Sequence, residues 1–129
     1  MPRPARVLVV DDSASVRDLI SLNLSLEGFE VVTACNGREA LDRVHDLAPD
    51  IVTLDVTMPD MDGFGTAERL RQDERTRELP IVIVSACAQE SDFKRAEEIG
   101  VDAYVTKPFD PEDLVRIVLG LTDGGAERG

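Results

Sequence analysis

Short runs of uninterrupted apolar residues alternate along this chain with longer segments in which apolar residues return every three or four positions. The uninterrupted runs are rich in valine and isoleucine, whose branched side chains suit a β-strand. Glycine, proline or polar residues bound each run, as they bound strands in general. The pattern predicts five strands, at residues 6–10, 29–34, 51–55, 81–84 and 103–106.

The segments between the strands have helical spacing and recognisable helix ends. Ser13 or Ser15 can cap the first helix by accepting a backbone N–H bond, and Gly28 is expected to end it. Its apolar positions broadly follow helical spacing: Val16, Leu19, Ile20, Leu22, Leu24 and Leu26. Further helices are predicted after Asn36, at residues 64–74 and 90–99, and after Asp110.

The strands are apolar throughout rather than alternately apolar and polar, which indicates that both faces of the sheet are buried. Strand and helix alternate five times along the chain. Both features are typical of a parallel sheet covered by helices on its two faces. The sequence therefore predicts a doubly wound α/β domain.

Length and composition limit the domain count and the partners. The 129 residues suit one domain, predicted at 5–121, followed by a loose tail or the start of a linker at 122–129. No apolar run approaches the roughly 20 residues of a membrane span, so a cytoplasmic protein without membrane contact is expected. The formal net charge of −12 would repel nucleic acid phosphates, so no direct nucleic acid partner is expected. Two cysteines, Cys35 and Cys87, form no disulfide framework.

Polar groups follow four of the five predicted strands. Asp11 and Asp12 follow the first strand, and Asp55 ends the third. Ser85 follows the fourth strand and Lys107 the fifth. Because parallel strands end at one edge of their sheet, these five side chains are expected to meet there.

Such a set of side chains indicates phosphoryl chemistry. Clustered carboxylates repel one another, and a hard divalent cation such as Mg²⁺ relieves the repulsion. With a cation beside it, Asp55 could attack phosphorus as a nucleophile. Lys107 and the hydroxyl of Ser85 could each bind a phosphoryl oxygen. The product that fits these groups is an aspartyl phosphate.

At these positions the sequence resembles the receiver domains of two-component response regulators, the family of the chemotaxis response regulator. The resemblance spans roughly residues 5–121 and implies a flavodoxin-like fold with strand order 2-1-3-4-5. It rests on four motifs in this order: VVDD at 9–12, LDVTMPDMDG at 54–63, VSA at 84–86 and YVTKPF at 104–109.

The resemblance implies a role for each matching residue. Asp55 resembles the phosphoacceptor and Lys107 the lysine that binds the phosphoryl group. Asp12 resembles the direct Mg²⁺ ligand, whereas Asp11 acts through water. The backbone carbonyl of Thr57 is implied as a further metal ligand.

Other matching positions concern the switch and the lifetime of the phosphoryl group. In the family, the residues at Ser85 and Tyr104 move on phosphorylation and change the face formed by helix four, strand five and helix five. The bond between Lys107 and the following proline is implied to be cis. Thr57 and Cys87 occupy positions that tune dephosphorylation, and we expect it to be slow because neither side chain orients a water.

The function implied is a signalling switch that catalyses only its own phosphorylation and dephosphorylation. Its phosphodonor would be a histidine kinase or a histidine phosphotransfer protein, and its output a downstream protein target. Whether phosphorylation produces a homodimer is left open. The alternatives are a phosphorylation-independent protein-binding receiver and a receiver fragment of a larger regulator with a DNA-binding or enzymatic output domain.

Two other classes of protein fit less well. A phosphohydrolase of the haloacid-dehalogenase type needs a second aspartate two residues after its nucleophile, where this chain has Thr57. A flavin-binding module of flavodoxin type needs a Ser/Thr-rich phosphate loop and aromatic rings. Here the corresponding loop carries Asp11 and Asp12, and the aromatic content is 4%.

Overall fold

The computed structural model describes residues 4–56, 63–86 and 88–128, except for the side chains of residues 123–128. Within these residues strands and helices alternate strictly. They are β1 Arg6–Val10, α1 Ala14–Leu26, β2 Glu30–Ala34, α2 Gly37–Leu47, β3 Ile51–Leu54, α3 Gly63–Gln72, β4 Ile81–Ser85, α4 Glu90–Ile99, β5 Ala103–Thr106 and α5 Pro111–Arg128. The five predicted strands are confirmed, and no strand end moves by more than one residue.

The strands form one parallel sheet in the order β2-β1-β3-β4-β5. Val10, the last residue of β1, lies opposite Ala34 of β2 and Leu54 of β3. At the other side of the sheet, Ser85 lies opposite Thr106. The strands therefore end nearly level with one another, and the loops that follow them share one edge. The predicted doubly wound α/β fold is confirmed.

Two apolar layers bury the two faces of the sheet. Leu8 and Val10 of β1 belong to the layer that contains α2, α3 and α4. Val7 and Val9 belong to the layer that contains α1 and α5. Successive residues of a strand point to opposite faces, so a strand that is covered on both sides, as β1 and β4 are, has apolar residues pointing both ways. This is the physical reason for the apolar runs of the buried strands, whereas Glu30 and Thr33 of the edge strand β2 are exposed.

The apolar residues of α1 do not all face the core. Ile20 and Leu24 are buried, whereas Leu19, Leu22 and Leu26 are 43%, 59% and 74% exposed. At 3.6 residues per turn, positions 20 and 24 share the side that faces the sheet, and positions 19, 22 and 26 share another side. The apolar positions of α1 therefore lie on more than one side of the helix, and only one of these sides is covered.

The helix ends follow the predicted chemistry. Ser13, rather than Ser15, caps α1, and its side chain accepts the N–H of Val16. Asn36 caps α2 by accepting the N–H of Glu39 at 2.8 Å. Gly28 follows the end of α1 with a φ of +94°, a left-handed conformation that glycine adopts without steric penalty.

The last helix, α5, extends beyond the predicted end of the domain at Leu121. The hydroxyl of Thr122 donates to the carbonyl of Val118 at 2.8 Å, and the helix continues to Arg128. The boundary at residue 121 remains a prediction. In the described part of the chain, no helix combines the length and the apolar character needed to cross a membrane.

Candidate functional site

The loop after β1 presents two adjacent carboxylates with different surroundings. Asp11 is 1% exposed, and its backbone N–H donates to the carbonyl of Ala34 at 3.2 Å. Its Oδ1 accepts the N–H of Ser13 at 2.9 Å, which joins the loop to the start of α1. Asp12 is exposed. One carboxylate is therefore buried in the protein, and the other is accessible to solvent.

The third carboxylate, Asp55, follows β3. It is 2% exposed, and its backbone N–H donates to the carbonyl of Val10 at 3.0 Å, which extends the β1–β3 pairing by one bond. Asp11, Asp12 and Asp55 each offer a carboxylate oxygen such that these oxygens all lie within 4.8 Å of one another. The structure thus brings together the three carboxylates that the sequence analysis selected.

Lys107 reaches this cluster from the end of β5. Its Nζ lies 3.1 Å from Oδ2 of Asp11 and 3.4 Å from Oδ2 of Asp55. Its backbone N–H donates to the carbonyl of Ser85 at 2.8 Å, which holds the end of β5 against the end of β4. The peptide bond between Lys107 and Pro108 is cis, as the family resemblance implied.

Among the described residues the cluster carries more negative than positive charge, because the ammonium group of Lys107 contacts Asp11 and Asp55 while Asp12 adds a third carboxylate. Burial raises the pKa of Asp11 above its usual value, and bonds from Ser13 and Lys107 offset this only in part. Burial acts to lower the pKa of Lys107, but its bonds and charge interactions with Asp11 and Asp55 outweigh burial and raise it. The site therefore favours an additional positive charge.

The start of α3 lies directly against the residue that carries the third carboxylate. A Cβ atom on Gly63 would lie 2.6 Å from Cα of Val56 and 2.8 Å from the carbonyl carbon of Asp55, and closer still to the oxygen of that carbonyl. Cβ atoms in proteins essentially never approach other atoms within 3.0 Å. Only glycine fits at position 63, a constraint that was not predicted from the sequence.

Two further polar residues adjoin the site without having been predicted. Nη1 of Arg17 donates to the carbonyl of Asp11 at 2.7 Å. Oε1 of Glu39 accepts the N–H of Cys35 at 2.7 Å, and this bond is the main cause of the lowered pKa of Glu39. The spacing of Glu39 three residues after Asn36 resembles a capping box and could have indicated its role. No sequence pattern indicated Arg17.

The two predicted switch residues lie on adjacent strands. Ser85 is fully buried at the end of β4. Tyr104 of β5 is half-buried, and its ring meets that of Phe93 on α4 edge to face, with centroids 4.7 Å apart. Thr57 and Cys87 lie outside the described residues, so their implied roles in metal binding and dephosphorylation remain predictions.

The residues present fit a hard divalent cation. Carboxylate oxygens are the ligands that Mg²⁺ prefers, and the ion accepts one or two of them together with water. The exposed position of Asp12 and the excess of negative charge both suit an ion that keeps part of its hydration shell. Asp11, Asp12 and Asp55 are the described residues that could hold it.

The sequence matches the family model of the response regulator receiver domain over residues 7–119. The probable transcriptional regulator ycf27 of Guillardia theta is 41% identical over 124 residues, which are 94% of this chain and 48% of that protein. The DNA-binding dual master transcriptional regulator RpaA of Synechocystis sp. is 39% identical over 92% of this chain and 50% of its own length. The chain thus spans about half the length of these curated relatives.

Solved structures show the same fold at nearly full coverage. Chemotaxis protein CheY4 of Vibrio cholerae superposes with a TM-score of 0.87 at 33% identity, over 92% of this chain and 98% of that one. A CheY-like response regulator receiver domain protein from Methanospirillum hungatei gives a TM-score of 0.90 at 26% identity, over 98% and 99% of the two chains.

Proposed function

This chain belongs to the response regulator receiver domain family, and on that premise we propose that Asp55 accepts a phosphoryl group in a Mg²⁺-dependent reaction. One observation carries the proposal. The carboxylate of Asp55 shares a 4.8 Å cluster with Asp11 and Asp12, while Nζ of Lys107 lies 3.4 Å from it. The nucleophile, the cation ligands and the positive group that this chemistry needs are thus within reach of one another.

In the proposed transfer, a carboxylate oxygen of Asp55 forms a bond to phosphorus while the bond from phosphorus to the donor atom breaks. The leaving group departs with the electron pair and takes a proton from solvent, and the product is a mixed anhydride. Asp11, Asp12, Asp55 and the carbonyl of Thr57 would hold Mg²⁺, which supplies positive charge to offset that of the phosphoryl group. Lys107 would pair with one phosphoryl oxygen.

The proposed signal leaves the site through Ser85 and Tyr104. On phosphorylation the Ser85 hydroxyl would move toward the phosphoryl group and bind a second phosphoryl oxygen. The ring of Tyr104 would then turn inward, into the space that Ser85 leaves. A groove lined by Tyr104, Phe109 and Ile117 lies on the adjoining surface, and Phe93 beside it is 41% exposed. An exposed aromatic side chain beside a groove suits a protein partner, so we place the downstream target on the face formed by α4, β5 and α5.

The proposed phosphodonor is a histidine kinase or a histidine phosphotransfer protein, acting in the cytoplasm as is expected for the family. The domain catalyses its own phosphorylation and dephosphorylation and turns over no other substrate. The net charge of −12 supports contact with proteins rather than with nucleic acid. RpaA is named a DNA-binding regulator, but this chain covers 50% of it, so DNA binding is not carried over to this domain.

The proposal is tested by intact mass after incubation with acetyl phosphate and Mg²⁺. We expect wild type to gain the mass of one phosphoryl group, and Asp55→Asn to gain none. Asp42→Asn is the matched control, because Asp42 is an exposed aspartate on α2 away from the cluster. The control should be phosphorylated as wild type is, and chelation of Mg²⁺ should abolish the adduct in both.

An adduct that persists in Asp55→Asn would contradict the assignment of the phosphoacceptor. Wild type that gains no mass, even when a phosphorylated histidine phosphotransfer protein is supplied, would contradict the proposed reaction as a whole. That second result would favour the alternative of a receiver fold that binds its partner without phosphorylation.

A further inference from the structure

Arg17 connects α1 to the main chain of the acidic loop. Its Nη1 donates to the carbonyl of Asp11 at 2.7 Å, and its side chain is half-buried. On the other side of the same residue, the N–H of Asp11 donates to the carbonyl of Ala34 at 3.2 Å. The backbone of Asp11 is therefore held from both sides, by a strand and by a helix.

The carbonyl that Arg17 holds belongs to the peptide group between Asp11 and Asp12. Because a peptide group is planar, fixing the direction of this oxygen also fixes the direction in which the chain continues to Cα of Asp12. In residues 4–56, 63–86 and 88–128 the structure gives the exposed carboxylate of Asp12 no hydrogen-bond partner of its own. The backbone fixes the point from which the Asp12 side chain extends, and Arg17 helps to hold that backbone.

We propose that Arg17 is a positioning residue for divalent-cation binding: by holding the Asp11 carbonyl, it directs the Asp12 carboxylate toward the cluster with Asp11 and Asp55. This inference rests on the proposed function, because it concerns the cation of that reaction. It assigns a role in the site to a helix residue that does not touch the cation. Partners that orient metal ligands in this way typically change metal affinity by about 10- to 100-fold when they are replaced.

Positioning and simple charge predict opposite results for Arg17. The guanidinium group is positive and lies beside a negative cluster, so its charge alone repels Mg²⁺. If charge were its only influence, replacing it with a neutral residue would tighten Mg²⁺ binding. If Arg17 positions Asp12, the same replacement weakens binding. Whether the dissociation constant for Mg²⁺ rises or falls in this variant therefore distinguishes positioning from charge.

The experiment is a calorimetric titration of the unphosphorylated protein with Mg²⁺ alone, which requires no phosphoryl transfer. For Arg17→Gln we expect a dissociation constant about 10-fold higher than that of wild type. Arg17→Lys keeps the positive charge and a hydrogen-bond donor, so its dissociation constant should lie between those of wild type and Arg17→Gln. Arg38→Gln is the control, because Arg38 is exposed in the first turn of α2 at the same edge of the sheet. Its loss of charge should leave binding unchanged or slightly tighter.

Equal or tighter Mg²⁺ binding by Arg17→Gln would overturn the inference. Should that variant fail to fold, the decision passes to Arg17→Lys, because its charge is intact and weaker binding can come only from the altered contact. Unchanged binding by the folded lysine variant would then overturn the inference equally. Wild type that binds no Mg²⁺ would contradict the proposed function itself, so the two failures are distinguishable.

Discussion

Replacement of Gly63 by alanine should damage both the fold and the site, because α3 begins against the backbone of Asp55 and Val56, the two residues that follow β3. The new Cβ would lie 2.6 Å from Cα of Val56, which is 0.4 Å short of the 3.0 Å that Cβ atoms respect. The atoms on the other side of this contact are backbone atoms of two buried residues, which cannot turn away as a long side chain would. Overpacking of this kind typically costs about 1–3 kcal/mol. We expect the upper end, about 3 kcal/mol, because several contacts are too short together.

Relief of this clash requires the backbone of Asp55 to shift. Because Asp55 is the proposed phosphoacceptor, the shift should also slow phosphorylation. A shift of about 1 Å in a reacting group can lower a rate by about 100-fold. Urea unfolding measures the first effect, since a single domain of this size is expected to unfold in one step. Intact mass against time with acetyl phosphate and Mg²⁺ measures the second, under conditions in which the variant is folded.

Gly120→Ala is the matched control for the change of residue. Gly120 lies on the exposed side of α5, and a Cβ there would meet nothing within 4 Å. Alanine is favoured over glycine inside a helix by about 1 kcal/mol, so this variant should be more stable than wild type and equally active. If Gly63→Ala unfolds at the same urea concentration as wild type and is phosphorylated at the same rate, the steric argument is refuted.

Three further predictions concern the cation, a titrating helix residue and α1. Mg²⁺ at 100 times its dissociation constant should raise the free energy of unfolding by about 2.7 kcal/mol, and in Asp12→Ala the same concentration should give a clearly smaller increase. Because the pKa of Glu39 is lowered in the folded state, its charge stabilises the fold above the ordinary value of 4.5 and ceases to do so as pH falls through the lowered pKa. Glu39→Gln should therefore unfold more easily at neutral pH, by less than about 1 kcal/mol after solvent screening, and equally with wild type at acidic pH. Leu24→Ala should lose about 2–5 kcal/mol in urea unfolding, whereas Leu22→Ala, which changes an exposed side chain, should stay within about 0.5 kcal/mol of wild type.

The polar ends of the strands could be read from the sequence because the strands themselves were easy to locate. Asp11, Asp55 and Lys107 each follow a predicted strand, and level parallel strands bring such residues to one edge. The 3.1 Å contact of Lys107 with Asp11 joins residues 96 positions apart in the chain. That contact needed the strand order, which the family resemblance implied and local spacing alone could not.

What the sequence determined by itself is the set of elements and the residues at their ends, because apolar periodicity and capping act over a few neighbouring residues. What only the tertiary structure decided is which polar and apolar side chains meet. Arg17 and Gly63 contact the backbone of other segments. Because every residue carries the same backbone atoms, such contacts cannot be predicted from residue types. The exposure of Leu22 follows the same rule: spacing places a residue on a side of its helix, but only the packing of that helix decides whether the side is covered.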